Sequence, residues 1–458
     1  MNANPQPDAL YVAHQKIYAR ESTGRFTRLR TAAVWLLLGL FYVIPWLEWH
    51  GRQAVLFDLP ARKFYIFGLV FWPQDFFFLA WLLIIAALSL FFFTALAGRL
   101  WCGYACPQTV WTNVFVWLER LAEGNRSQQM KLDQAPWSWQ KLRRKATKQV
   151  LWVSLAAWTG LTFVGFFTPV GRLLDAVLTL RAGPWELFWI VFYGFATYGN
   201  AGYLREQVCK YMCPYARFQS AMFDRDSLII SYDPKRGEPR GARPRGVAPR
   251  SRGLGDCIDC TLCVQVCPTG IDIREGLQYE CIACAACIDV CDSVMERMNY
   301  PRGLIRYATE RSMAGGTTRL WRPRMAVYGS LLGVLVVAFF VAIGLRNPVG
   351  VDVLRDRNAL YRSLADGVIE NVYAVRVLNK DDQPHRFTVS AHGLPGIAVD
   401  SELSELHVAA GEVRTVPVRL RIPHPPFSGS RPVILRVTAS DESQLGAEAD
   451  ARFFAPSP

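Results

Sequence analysis

Eight of the twelve cysteines lie between residues 257 and 291. The stretch reads CIDCTLCVQVCPTG, IDIREGLQYE and CIACAACIDVC, so Cys257, Cys260, Cys263 and Cys267 are followed by Cys281, Cys284, Cys287 and Cys291. The spacing is C-x2-C-x2-C-x3-C, given twice, with thirteen residues between the copies. Zinc sites pair a C-x2-C with a second, distant pair. Three cysteines at two-residue intervals instead wrap one face of a cubane, and the fourth ligand comes from the other copy. The expected sets are Cys257, Cys260, Cys263 with Cys291, and Cys281, Cys284, Cys287 with Cys267, each holding one [4Fe–4S] cluster. A disulfide or zinc knot has no need of this doubled spacing. The pattern points to electron transfer and does not name a donor or an acceptor.

The first copy ends Cys267–Pro268, as in bacterial two-cluster ferredoxins, whereas the second ends Cys291–Asp292. Proline at that place fixes the turn after the ligand. Without it the second cluster is expected to be held more loosely or to have a shifted potential. A carboxylate nearby favours the oxidised, less negatively charged state.

At 458 residues the chain has room for two or three domains. Hydrophobic residues make up 51% of it and the mean hydropathy is +0.13, which points to membrane spans. The net charge is +13, but residues 346–458 hold 13 Arg/Lys against 14 Asp/Glu, so the whole positive excess lies in residues 1–345. Basic residues scattered over loops that flank apolar runs fit the positive-inside bias better than a nucleic-acid surface. No nucleic-acid partner is expected.

Five spans are expected, near residues 31–49, 76–97, 150–168, 185–203 and 325–345. The apolar piece Phe64 to Trp72 is too short to cross and is expected to lie at the interface or re-enter. No small-residue cleavage site follows the first run, so it reads as a retained span. The tail 1–30, the loop 98–149 and the region 204–324 carry 5, 9 and 19 Lys/Arg, against 3 and 2 in the connections 50–75 and 169–184. The amino terminus is therefore expected inside and the carboxyl terminus outside. Cluster cysteines must stay reduced, which independently assigns their part of the chain to the cytoplasm.

Residues 233–253 (DPKRGEPRGARPRGVAPRSRG) read as a Gly/Pro/Arg linker before a ferredoxin-like domain at 254–312. Residues 350–458 change period. VYAVRVLN, HRFTVSAH, VRTVPVRLRI and PVILRVTAS alternate between turn-rich pieces, as in an antiparallel β-sandwich of immunoglobulin-like architecture. The expected fold class is a multi-domain membrane protein: an α-helical transmembrane bundle of about five spans, a bacterial two-cluster ferredoxin-like domain and a C-terminal β-sandwich. In this division 1–30 is a cytoplasmic tail and 31–232 the bundle.

The other four cysteines form a repeat. Cys102-x3-Cys106-Pro107 follows the second span and Cys209-x3-Cys213-Pro214 the fourth. The segments after each proline (PQTVWTNVFVWLERL; PYARFQSAMF) read as amphipathic helices, because proline favours the first helical position. Cys106 and Cys213 then sit at helix N-termini, where the dipole, with Arg99, Lys210 and Arg217 nearby, favours thiolate. Four soft donors converging at the membrane edge select Cu(I), an iron–sulfur cluster or zinc. Met212 is a further soft donor beside them, although such a methionine is more often packing. The bland alternative for the two pairs is buried small hydrophobes or a structural zinc. The histidines are His14, His50, His385, His392, His407 and His424, none within an expected span, which speaks against a membrane haem. No Gly-rich loop stands in the context of a nucleotide site.

The stretches GRQAVLFDLPARKFYIFGLVFWPQDF, RLWCGYACPQTVW, YGNAGYLREQVCKYMCPYARFQSAMFD, GDCIDCTLCVQVCPTGIDIREGLQYECIACAACIDVCD and YPRGLIRYATE closely resemble the cytochrome c oxidase accessory proteins of the FixG/RdxA/CcoG family. The resemblance covers the chain to about residue 312, with the same layout of fifth span and Ig-like domain beyond it. It implies a bacterial inner-membrane protein assisting assembly of cbb3-type oxidase by reducing Cu(II) to Cu(I). Cluster ligation then falls on the eight cysteines above. Copper handling falls on Cys102, Cys106, Cys209 and Cys213. Partners implied are membrane lipid, the oxidase subunits or copper chaperones and transporters, and an unidentified electron donor. The rivals are a quinol-linked membrane polyferredoxin and a non-catalytic assembly scaffold.

Overall fold

The computed structural model describes residues 16–246, 249–319, 321–357, 359–401, 405–441 and 445–456, without the side chains of Arg217, Ser220, Ala221, Arg250, Ser251 and Ser401. The tail expected at 1–30 is thus covered only from residue 16. The chain forms two compact units, the first from residues 1–43, 84–164 and 173–334, the second from 44–83, 165–172 and 335–458.

Among the described residues three helices are long and apolar enough to cross a membrane, Arg25–Trp46, Pro73–Ala97 and Pro323–Gly344. They correspond to the first, second and fifth expected spans. The first helix begins ahead of its apolar run because the Asp289 carboxylate accepts hydrogen bonds from the backbone N–H of Phe26 (3.1 Å) and Thr27 (2.6 Å), capping it from 262 residues away. Gly24 is needed there, since a Cβ on it would lie 2.4 Å from Asp289 Cγ.

The third and fourth expected spans are also helical, as Trp139–Val164 and Pro184–Thr197, but neither meets the same test of length and hydropathy. The first opens with the charged turns WQKLRRKATKQ, and the second passes into π-helical turns over Tyr198–Leu204 and Val208–Met212. The two pack closely through glycine. A Cβ on Gly160 would come 2.3 Å from the Ile190 carbonyl.

The doubled-cysteine segment sits in a small domain of the first unit. Strand Ile229–Tyr232 pairs antiparallel with Ile305–Ala308, over helix Ala286–Met298 and a core containing Ile230, Ile273, Ile288, Met295 and Leu304. The domain therefore starts near 229 rather than at 254. The stretch 233–253, expected as a bare linker, is pinned to it. Arg236 donates to Arg302 O (2.9 Å) and pairs with Asp256, while Arg243 donates to the Tyr300 hydroxyl (2.8 Å). Composition predicted no core-forming residue there; among the described residues the arginines attach the segment by carbonyl, hydroxyl and carboxylate contacts. Residues 247–248 of this stretch lie outside the described set.

In the second unit the four predicted strands are found, as Val368–Asn379, His385–His392, Val413–Pro423 and Gly429–Ala439. One sheet runs Ala398–Ser401, Val413–Pro423, Val368–Asn379, Val349–Arg355; the other runs Leu406–Val408, His385–His392, Gly429–Ala439, Gly446–Ala455. Their inner faces bury Val375, Val377, Phe387, Leu420, Leu435 and Phe453 completely. The Asn371 amide ties the two sheets, donating to Phe454 O (2.8 Å) and accepting from Phe454 N (2.9 Å). The piece Phe64 to Trp72 is not re-entrant. It belongs to a three-stranded meander, Val55–Asp58, Lys63–Ile66 and Leu69–Phe71. A continuous apolar run does not declare its period, and turns with Arg62 and Phe67 at positive φ break this one into hairpins.

His385 is buried between Asp441 and Asp381, 3.1 Å from each. Burial alone would lower its pKa, but the hydrogen bonds to the two carboxylates outweigh it and raise the pKa; both carboxylates are lowered in turn. The histidine's contribution to stability is full below its unfolded pKa of about 6.5 and lost as pH rises through the folded value. The carboxylates' contribution is present above about 3.9 and lost as pH falls through their folded values. Amide-exchange protection in strand His385–His392, corrected for intrinsic rates, should therefore fall as pH rises above about 6.5. His385→Gln should remove that slope; an unchanged slope would contradict the assignment.

Candidate electron-transfer site

The eight cysteines of the doubled motif surround two cavities. Cys257, Cys260, Cys263 and Cys291 line one. Cys267, Cys281, Cys284 and Cys287 line the other, together with Cys263, which faces both. These are the crossed sets expected from spacing. The local fold produces the crossing. Each C-x2-C-x2-C loop turns through a left-handed residue, Thr261 in the first and Ala285 in the second, before a short or long helix begins. Cys287 and Cys291 lie one turn apart on helix Ala286–Met298, so one helix supplies a thiol to each cavity.

Burial raises several of these thiols, Cys281 and Cys291 to about 12 and Cys263 to about 11. Cys287 is also raised, by burial first and then by the thiols of Cys284 and Cys281. Four thiols around a cavity are the donor set of a multi-iron cubane. Asp292 does not leave its loop loose. Its carboxylate accepts from Gly303 N (2.8 Å), and the helix that carries Cys291 runs on to Met298, where a proline at 292 would break it.

The second set of cysteines is assembled beside the first. Cys106 caps helix Pro107–Glu123 and Cys213 caps helix Pro214–Met222, as the proline positions predicted. The four thiols of the two hairpins are close enough to act on one another: Cys102 is raised by burial to about 12, with further contributions from Cys106, Cys209 and Cys213. Cys209 is raised to about 11, again by burial first, then by Cys106 and Cys213. The expected thiolate at Cys106 is therefore reversed. The Thr109 and Gln108 amides at the helix start do lower its pKa, but burial outweighs them and the net shift is upward. Met212 is 61% exposed and so is not packing.

Arg99, expected only as a basic neighbour of the thiols, also joins the hairpins to the cluster loop. It is 4% exposed, and its guanidinium donates to Ala216 O of the second hairpin and to Tyr279 O and Cys281 O of the cluster loop. Cys102 Sγ approaches Gln219 Oε1 at 3.5 Å, which links the two hairpins again. Gly103 brings the first hairpin onto the second cysteine loop: a Cβ there would lie 2.8 Å from Ala283 O and 2.9 Å from Ile282 O. Cys102 and Cys209 pack on the same apolar cluster as Cys284 and Cys287. The RLWCG sequence carried the signal, with Arg99 and Gly103 bracketing the first thiol.

Residues 204–310 match the family described as a 4Fe-4S dicluster domain, and residues 79–123 match a 4Fe-4S binding domain. Residues 339–456 match the Ig-like fold at the C-terminus of FixG. The chain is 40% identical to RdxA of Cereibacter sphaeroides over 436 residues, covering 91% of each protein. A relative from Rhizobium meliloti, named nitrogen fixation protein FixG, is 38% identical over 432 residues, covering 86% of this chain and 82% of the relative. The chain belongs to the FixG/RdxA family. RdxB of Cereibacter sphaeroides is a further relative, 40% identical over 411 residues, covering 87% of this chain and 86% of the relative. This FixG/RdxA protein is thus an iron–sulfur protein with a redox role, associated with the membrane through apolar helices.

Proposed function

We propose that this family member is a membrane-bound cupric reductase that supplies Cu(I) for assembly of a cbb3-type oxidase. The observation that supports it best is the gathering of Cys102, Cys106, Cys209 and Cys213 against the loop that carries Cys281 and Cys284. In this reading Cys257, Cys260, Cys263 and Cys291 hold one cluster, and Cys267, Cys281, Cys284 and Cys287 the other. When bound, such clusters accept and release one electron at a time, which matches the change from Cu(II) to Cu(I). Cys263 faces both cavities, and Arg99 holds the second loop against the hairpins, so the chain offers a continuous path to the four-thiol site.

Copper is the substrate here. Cys102, Cys106 and Cys209, whose thiols burial raises, give up protons as the ion binds, and sulfur favours the reduced ion over the oxidised one. The basic bias of the cysteine-bearing loops supports a cytoplasmic face for both sites, with helices Trp139–Val164 and Pro184–Thr197 also crossing and the β-sandwich outside.

The test is anaerobic mixing of pre-reduced protein with Cu(II), with Cu(I) followed by a chelator. Changing Cys102, Cys106, Cys209 and Cys213 together to serine should abolish the reaction and leave about eight irons bound, at four per cubane. An unchanged rate would remove copper from these residues. A second reading is that the four hairpin thiols hold another cluster, favoured by the match of residues 79–123 to a 4Fe-4S binding domain. It predicts about twelve irons rather than eight.

A further inference from the structure

The first unit contains a cavity of about 820 Å³, within the range of small-molecule sites. Its apolar half lies between the first helix (Val34, Leu38, Tyr42) and helix Trp139–Val164 (Leu151, Leu155). Trp35 on the first helix, Trp158 on helix Trp139–Val164 and Trp117 on helix Pro107–Glu123 also line it and are 68%, 39% and 53% exposed, so large apolar side chains border it at the surface. Polar groups line it as well, among them Glu206, Arg30 and Asn113. The Asn113 amide nitrogen is shielded from solvent and has no hydrogen-bond partner. Cys284 lines both this cavity and the cavity of the second cysteine set.

We propose that the cavity binds a membrane quinol, the electron donor of this protein. The inference deepens the functional reading and rests on its assignment of Cys284 as a cluster ligand. Three features select the occupant. A lining with exposed tryptophans admits a lipid-soluble carrier. A buried carboxylate in the lining, Glu206, can take protons from a carrier that releases them with its electrons. A buried amide without a partner can donate to a ring oxygen, and leaving it unpaired is costly. The reaction balances: the two O–H bonds of the quinol break, its two electrons go one to each cluster, and its two protons go by way of Glu206 to water. The oxidised quinone returns to the bilayer. An anionic lipid is the competing occupant, because Arg20 and Arg30 also line the cavity.

The test uses full-length, anaerobically purified protein in vesicles and decylubiquinone as the probe. Quenching of tryptophan fluorescence should saturate, and Asn113→Leu should weaken binding about five- to tenfold, the loss of one hydrogen bond. Glu206→Gln should keep binding and slow anaerobic bleaching of the clusters by decylubiquinol at least about tenfold, as expected when a proton acceptor is removed. Dithionite should bleach all three proteins equally. Quenching that does not saturate, extraction of phospholipid alone from the site, or bleaching by quinol that ignores both substitutions would overturn the proposal. Quenching does not require the clusters. Saturable, Asn113-dependent quenching without any bleaching by dithionite would therefore support the quinone site while overturning the cluster assignment.

Discussion

Cys291→Ser will remove about four of about eight irons, and the cluster lost will be the one held by the first copy of the motif. Cys291 lines the cavity of Cys257, Cys260 and Cys263 and is absent from the lining of the other. Its thiol is buried and raised by its surroundings, first by burial, then by Cys263 and Cys257. Adding Cys257→Ser to Cys291→Ser should cost no further iron. Adding Cys281→Ser should remove the remainder. The opposite pattern, read by iron and sulfide analysis with low-temperature EPR, would mean that each copy closes its own cluster. The double substitutions carry the test, because a single one could lose iron through general loosening of the domain.

Arg99→Met will uncouple the hairpins from the cluster domain. The buried guanidinium is shared between Ala216 O and Tyr279 O, on two different parts of the first unit. Removing it leaves carbonyls without donors at about 1–3 kcal/mol each, and the whole change should cost on the order of 3 kcal/mol. For a unit of this size that lowers the melting temperature by about 6–12 °C. Arg99→Lys should recover little, since an ammonium on a flexible stem does not reproduce the planar fork that reaches two carbonyls at once. Electron delivery to Cu(II) should slow in both variants while bound iron stays near the wild-type value. A wild-type rate in Arg99→Met would remove the residue from the path.

The parts of this architecture that depend on local period were legible from residues alone. Eight cysteines at a doubled spacing predict two four-thiol sets, and the alternation in VYAVRVLN or VRTVPVRLRI predicts strands that the sandwich contains. Proline after Cys106 and Cys213 predicts the helix starts there. What was not legible depends on partners distant in sequence. Asp289 caps a helix 262 residues earlier, and nothing near either residue announces it. The arginines of 233–246 read as linker because their partners, Pro301, Arg302 and Tyr300, lie beyond the cysteine stretch. The sign of the shift at Cys106 was misread for the same reason: the helix start is local, whereas burial comes from tertiary packing. The meander at 55–71 was missed because a short apolar run is consistent with either period.

The central claim is that single electrons stored near residues 257–291 leave through the hairpin thiols. Its most direct measurement is an electron count. Protein reduced under anaerobic conditions and freed of excess reductant is mixed with Cu(II), while Cu(I) and the reduced-cluster EPR signal are followed together. The account predicts about two Cu(I) per chain, one electron from each cluster, appearing as the signal decays and with the thiols of Cys102, Cys106, Cys209 and Cys213 still titratable once the Cu(I) is chelated. Cu(I) that forms while the signal persists, matched by loss of thiols, would show that cysteine oxidation is the source of the electrons and would contradict it.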